Sequence, residues 1–306
     1  MRIVFFGSPD FALPSLESLV AAGHDLALVV SQPARPVGRH AALTDPPVAA
    51  RAKALGLPVW QPESLKGEEA LSRLVSREAD RFVVVAYGRI LGPRTLAAAR
   101  LGAVNVHGSI LPRWRGASPV QAALLAGDAE TGISIMQMDV GMDTGAVLAE
   151  VRTPIGPSDD SSVLSARLAR MGAELLLATL PSIEEGTAVA VAQPAEGVTE
   201  CPKVRREDGR VSWADGAAVL VRKERAFTPW PGLYAFRNGG RVKLVGLSRV
   251  EGAGAPGTVL EAGGRLVVAC GEGAIEVGAL QAEGRRLFSA RDFVNGERVV
   301  AGEVWA

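Results

Sequence analysis

Arg2-Ile3-Val4-Phe5-Phe6-Gly7-Ser8-Pro9-Asp10 begins this chain with an apolar run that stops at a glycine and turns at once into a serine, a proline and an acid. The run predicts a strand over residues 1–6. The triplet predicts a helix start, with Ser8 as cap, Pro9 at the first helical position and Asp10 in the first turn, and Gly23 marks the helix end. The same alternation continues outward. Apolar runs at 26–31, 57–60, 82–86 and 104–107 predict strands, and residues 48–55, 68–78 and 94–99 predict the helices between them. Strands that are almost wholly apolar, separated by helices, predict an α/β fold with a Rossmann-like parallel sheet covered on both faces. The Gly7-Ser8-Pro9-Asp10 turn has neither G-x-G-x-x-G nor Walker spacing, so it reads as a strand-to-helix turn and not as a nucleotide cradle.

Farther along, a short helix is expected over 119–126, strands over 132–138 and 146–155, and a longer helix over 161–180. Periodicity fails between 184 and 206, which reads as a linker. Beyond it, strand-like runs at 242–245, 257–261, 266–270 and 274–280 are punctuated by glycines, the pattern of a small antiparallel β-barrel. The expected division is therefore 1–183, a linker at 184–206, and 207–306.

Composition narrows the function class. With 306 residues, 48% of them hydrophobic, the chain can build two cores. A formal net charge of +0 gives no bulk attraction for nucleic acid, so any RNA contact must come from local patches. The two cysteines, Cys201 and Cys270, share no metal or disulfide spacing and suit a reducing compartment; Cys201 reads as an exposed linker thiol and Cys270 as a buried strand residue. No metal is expected. No apolar run approaches the ~20 residues needed to span a bilayer, and no leader precedes the first strand, so an untargeted cytoplasmic protein with no membrane contact is expected.

The chemistry concentrates at Asn105-Val106-His107-Gly108-Ser109-Ile110-Leu111-Pro112-Arg113-Trp114-Arg115-Gly116. Residues i and i+2 of a strand face the same way, so Asn105 and His107 project together while Val106 packs behind them. They stand at the carboxyl end of a strand, where sheets of this kind place their active sites. An acidic, glycine-rich run follows at Met138-Asp139-Val140-Gly141-Met142-Asp143-Thr144-Gly145. An amide, an imidazole and a carboxylate can hold and polarise a carbonyl oxygen and move a proton, which points to acyl or formyl transfer.

At these two segments the sequence resembles the folate-dependent formyltransferases, and the resemblance narrows to the methionyl-tRNA formyltransferase family. It extends through Phe5-Phe6-Gly7-Ser8-Pro9-Asp10-Phe11, Gln32-Pro33, Val84-Val85-Ala86-Tyr87-Gly88, Gly127-Asp128-Ala129-Glu130-Thr131-Gly132, Glu207-Asp208-Gly209-Arg210, Arg225-Ala226-Phe227 and Pro229-Trp230-Pro231-Gly232. It implies a formyltransferase domain followed by an OB-like barrel that binds tRNA. It also implies 10-formyltetrahydrofolate as co-substrate, initiator methionyl-tRNA as partner, and a monomer. On this basis Asn105, His107 and Asp143 are the catalytic residues. Ala86, Tyr87, Gly88, Ser109, Ile110, Leu111, Pro112, Asp139 and Val140 border the folate. Arg39, Lys203, Arg205 and Arg206 face tRNA.

The alternative is a folate-dependent formyltransferase acting on a small amine such as a nucleotide or a sugar. An RNA-binding module without activity and a dinucleotide dehydrogenase are further readings; the intact trio counts against the first and the missing glycine fingerprint against the second. Two segments depart from the family pattern. His40-Ala41-Ala42-Leu43 stands where lysines are usual, and Glu200-Cys201-Pro202-Lys203 where a tyrosine precedes the proline–lysine pair. Both departures are expected to bear on tRNA affinity alone. Three further features bear on the site and its partners. Trp230 between two prolines reads as a packing anchor. Arg113 and Arg115 read equally as RNA contacts or as supports of the folate loop. The cluster of Lys203, Arg205, Arg206, Arg210, Arg222, Lys223 and Arg225 reads as a phosphate-contacting strip.

Overall fold

A computed structural model of the chain describes residues 1–37 and 41–306. It divides into two compact units. The first comprises Met1–Pro119, Glu130–Pro154 and Ser165–Pro202, and the second Val120–Ala129, Ile155–Leu164 and Lys203–Ala306. Residues 184–202, which composition alone marks as linker, thus group with the first unit.

In the first unit the elements run β1 (Arg2–Gly7), α1 (Leu13–Ala21), β2 (Asp25–Val30), β3 (Arg35–Val37), β4 (Ala42–Thr44), α2 (Pro47–Ala54), β5 (Val59–Trp60), α3 (Glu68–Val75), β6 (Arg81–Val85), α4 (Pro93–Leu96), β7 (Ala103–His107) and β8 (Arg115–Gly116). After α5 (Pro119–Ala126), which groups with the second unit from Val120 on, come β9 (Glu130–Gln137), β10 (Val147–Pro154), α6 (Ser161–Glu184), which groups with the first unit from Ser165 on, and β11 (Glu200–Cys201). Seven strands form one sheet in the order β10-β9-β7-β6-β1-β2-β5. Arg39 and His40, between β3 and β4, lie outside the described residues.

The apolar strands behave as their sequences require. Val4 and Phe6, Leu28 and Val30, and Phe82 and Val84 are i,i+2 pairs on three neighbouring strands. All are buried in one cluster with Leu74 of α3 and Leu96 of α4. Val106 faces the other way, toward α6, where a Cβ added at Gly172 would stand 2.7 Å from Val106 Cγ1. That close approach is why a glycine sits mid-helix there.

Two expectations need correction. The sheet is mixed: β5, β2, β1, β6 and β7 run parallel, but β7–β9 and β9–β10 are antiparallel. Only residues 138–146 separate β9 from β10, and a connection that short returns the chain antiparallel. Glu150 and Arg152 alternating along half-exposed β10 were the sign of an edge strand. Nor does Ser8 cap a helix. Residues Asp10–Ala12 make a 3-10 turn and α1 begins at Leu13, with Pro14 in its first turn. The Ser8 hydroxyl instead accepts from the Gln32 amide at 3.1 Å and donates to the Tyr87 carbonyl at 3.5 Å, joining the ends of β1, β2 and β6.

The second unit carries α7 (Ala217–Phe227), β12 (Leu233–Arg237), β13 (Gly240–Val250), β14 (Val259–Ala262), β15 (Leu266–Ala269), β16 (Ala274–Ala282), β17 (Phe288–Ser289) and α8 (Ala290–Glu297). Its strands are ordered β12-β13-β16-β15-β14, with β17 beside β16. The C-terminal residues bridge the two outer strands. The Val259 amide donates to the Glu303 carbonyl at 2.8 Å, the Trp305 amide to Gly257 at 2.9 Å, and Ala306 exchanges bonds with Phe236 at 2.8 and 2.6 Å. The buried Trp305 ring fixes this closing segment, and closure leaves no strand edge of this sheet unpaired in the bridged region. Among the described residues no helix is long and apolar enough to cross a membrane.

One charge sits awkwardly in the first unit. Arg81, at the start of β6, is 6% exposed, and its Nε and Nη1 find no hydrogen-bond partner among the described residues. Burial brings its guanidinium down to about 10. A cation whose folded value is depressed opposes folding below that pH, and the penalty fades only as pH rises above it. Arg81→Met should therefore stabilise the protein at neutral pH by about 1–3 kcal/mol, the cost of unmet buried donors. Chemical denaturation of both proteins would show it, and a lower midpoint for the variant would refute it.

Candidate active site

β7 carries Asn105 and His107 at its carboxyl end. Asn105 and His107 share one face of the strand, and the loop after β9 folds back over that face to bring Asp143 beside them. Asn105 Nδ2 donates to Asp143 Oδ1 at 3.4 Å, and His107 Nδ1 lies 3.7 Å from Asp143 Oδ2. The expected trio is one cluster.

Backbone geometry sets each member. His107 Nε2 lies 2.9 Å from the Trp114 carbonyl, which can only accept, so Nε2 carries a proton. Nδ1 is the nitrogen turned to Asp143. The imidazole is 4% exposed, so charges here interact through a medium poor in water. Asp143 takes the left-handed conformation (φ 55) that a non-glycine residue rarely adopts. Its Oδ2 accepts from the Gly116 amide at 2.8 Å. Two glycines make room for this packing: a Cβ at Gly145 would fall on the Gln137 carbonyl oxygen, and one at Gly116 on that of Cys201.

The segment expected to border folate is fastened from below. Ser134, fully buried in β9, donates to the Ser109 carbonyl at 2.8 Å and accepts from the Leu111 amide at 3.1 Å. Ser109 Oγ donates to the Arg113 carbonyl at 2.5 Å, Ile110 and Pro112 are half-buried, and the Pro112 carbonyl accepts from Thr199 at 3.4 Å. At the end of β6, Val84 pairs in register with Asn105, and Ala86 follows one residue past the strand. Ala86 (φ 48) and Gly88 (φ 78) turn the chain and stay exposed. Tyr87 between them sends its ring into the core, and its carbonyl accepts from Gln32 Nε2 at 2.9 Å. A cavity of about 740 Å³ opens beside Gly88, lined by Leu65, Lys66, Leu71, Arg89 and Ile90 but by none of the trio. Asp139 forms the turn of the β9–β10 loop, accepting from the Gly141 amide at 3.0 Å and the Thr144 hydroxyl at 2.7 Å, and Val140 is exposed beside it.

Residues 191–201 are the part the sequence concealed. Val191 bridges Val147, and Gln193 Nε2 donates to the carbonyls of Asp143 and Gly145, each at 2.8 Å. Thr199 Oγ1 accepts from Trp114, and β11 pairs in parallel with β8. Cys201 is consequently buried, not exposed. Desolvation raises its thiol, which donates to the carbonyls of Trp114 at 3.4 Å and Arg115 at 3.3 Å. It shares the Trp114 acceptor with His107, so this departure from the family pattern reaches that imidazole through one carbonyl. No composition signal marked the segment; Ser134 alone, a polar residue in an apolar strand, could have been found.

In the second unit, Lys203, Arg205 and Arg206 are exposed. The rest of the expected phosphate strip is engaged. Arg222 Nε donates to the Leu125 carbonyl at 3.1 Å, Lys223 to Arg210 at 2.9 Å, and Arg225 to Asp159 and Gly156 at 2.6 and 2.7 Å. Arg210 lies over the Phe236 ring at 5.3 Å. Trp230 is 55% exposed, which corrects its reading as a packing anchor.

Residues 1–180 match the formyl transferase family model and residues 203–298 the model of the formyl transferase C-terminal domain. A methionyl-tRNA formyltransferase of Roseobacter denitrificans is 45% identical over 305 residues, covering 100% of this chain and 99% of that protein. The chain belongs to the methionyl-tRNA formyltransferase family. The family's protein from Xanthomonas axonopodis pv. citri is 47% identical over 97% of this chain and 98% of its own length. Solved structures at lower identity share the fold. WlaRD, a sugar 3N-formyl transferase, superposes with a TM-score of 0.67 at 13% identity, covering 94% of this chain and 99% of its own. HypX from Aquifex aeolicus gives 0.66 at 17% identity over 99% of this chain, which spans 48% of that longer protein.

Proposed function

We infer that the chain transfers the formyl group of 10-formyltetrahydrofolate to the α-amine of methionyl initiator tRNA. The observation that carries this is the likeness, near 45% and over both units, to methionyl-tRNA formyltransferases. The geometry of the trio agrees with it. The amine nitrogen attacks the formyl carbon, the carbonyl oxygen gains negative charge, and the carbon–N10 bond then breaks as the amine gives up a proton and N10 takes one. The free hydrogen of Asn105 Nδ2 and a protonated His107 Nδ1 are the donors for that oxygen. Asp143, held by Gly116 and close to both, stabilises the imidazolium and receives the amine's proton through water. Folate lies along 109–112, Ala86–Gly88 and Asp139–Val140, and tRNA meets Lys203, Arg205, Arg206 and Arg39.

The experiment supplies purified protein with 10-formyltetrahydrofolate and compares charged initiator tRNA, charged elongator tRNA and a free amino sugar. Formylation of the initiator well above the other two is expected. Formylation of the sugar with no product on either tRNA would move the assignment to the small-amine reading.

A further inference from the structure

We propose that Gln193 is a positioning residue for formyl transfer, one that fixes Asp143 in the conformation its carboxylate needs. Its neighbours Ala192 and Pro194 are exposed, while Gln193 turns inward and is half-buried. Every hydrogen-bonding capacity of its amide is used. Nε2 spends both hydrogens on the carbonyls of Asp143 and Gly145 at 2.8 Å, and Oε1 accepts from Arg115 Nε at 3.0 Å and Nη2 at 2.8 Å.

The two carbonyls it holds, of Asp143 itself and of Gly145, follow directly on the left-handed turn at Asp143. Such a backbone conformation costs energy and persists only where the surroundings over-determine it. The Gly116 amide fixes the carboxylate end of the residue, and Gln193 fixes the backbone end. Arg115 locks the amide's orientation, because its guanidinium can only donate and so keeps Oε1 on its own side and Nε2 on the loop's. This also settles Arg115: in this structure it supports the site. The inference rests on the formyl-transfer reading.

Two variants test it, Gln193→Ala and Gln193→Glu. Glutamate keeps an acceptor for Arg115 but sets a carboxylate against two carbonyls, so the segment stays tethered while Asp143 is released. Both should lower kcat about tenfold or more, a modest share of the hundredfold that misplacement can cost, with the KM for tRNA unchanged. A cycle with Asp143→Asn decides the mechanism: once the carboxylate is gone, changing Gln193 should bring no further loss. Hydrogen exchange at the Gly116 amide gives a readout without turnover, and it should quicken in both Gln193 variants as in Asp143→Ala, which removes the acceptor that Asp143→Asn would keep. A Gln193→Glu protein with wild-type kcat, an undiminished loss in the Asp143→Asn background, or unfolding of both single variants would each overturn the proposal. A wild-type protein inactive on every charged tRNA counts against the reading of function instead, and the exchange measurement still decides the role of Gln193.

Discussion

His107→Ala should lower the turnover number for formyl transfer by about 10²–10³, the loss typical when one donor to a developing oxyanion is removed. The imidazole is oriented by the Trp114 carbonyl and faces Asp143 from a site nearly closed to water, so no solvent molecule arrives already placed in its stead. The Trp114 carbonyl keeps the Cys201 thiol as a donor, so the loop itself should survive the change. KM for both substrates should stay near wild type, since the contact is made chiefly in the transition state. Steady-state kinetics with initiator tRNA would measure both constants, and turnover within a few-fold of wild type would remove His107 from the mechanism.

Gly145→Ala should be nearly as damaging without touching a catalytic group. A Cβ there would lie on the carbonyl oxygen of Gln137, a backbone atom of β9 that cannot rotate aside. Relief requires the β9–β10 loop to lift, carrying with it Asp143 and the carbonyl that Gln193 holds. Forcing volume into a packed site costs about 1–3 kcal/mol in stability. A displacement of about 1 Å at the carboxylate would cost about 10²-fold in rate. Gly263→Ala, where an added Cβ meets no atom within 4 Å, is the control and should leave both properties intact. Thermal melts and turnover on the two variants would test this; wild-type kcat in Gly145→Ala would show that the loop tolerates repositioning.

What the sequence disclosed and what it hid follow one physical line. Asn105 and His107 were readable because a strand's alternation fixes them on one face; the acidic, glycine-rich run offered Asp139 and Asp143 alike, and the family resemblance chose Asp143. The apolar strands gave the sheet but not its one antiparallel member, β9, and the charges on β10 mark only the edge strand beside it. Arg222, Lys223 and Arg225 looked like a phosphate strip because charge in a sequence carries no direction. On α7 their side chains bond backbone carbonyls instead. Gln193 and Cys201 were hidden for a different reason: their partners stand 48 to 87 residues away, and no local pattern encodes such a meeting.

That separation has a consequence for how the protein is made. Synthesis runs from the N-terminus, and early segments gather structure while later ones are still being added. Asn105, His107 and Asp143 all emerge before Gln193, whose carbonyl partner at Asp143 precedes it by 50 residues, and Cys201 follows Trp114 by 87. A growing chain thus holds every reactive side chain well before it holds the stretch that pins them. The site around Asp143 and Trp114 gains its last hydrogen-bond partners only after translation passes residue 201 and β11 can seat against β8.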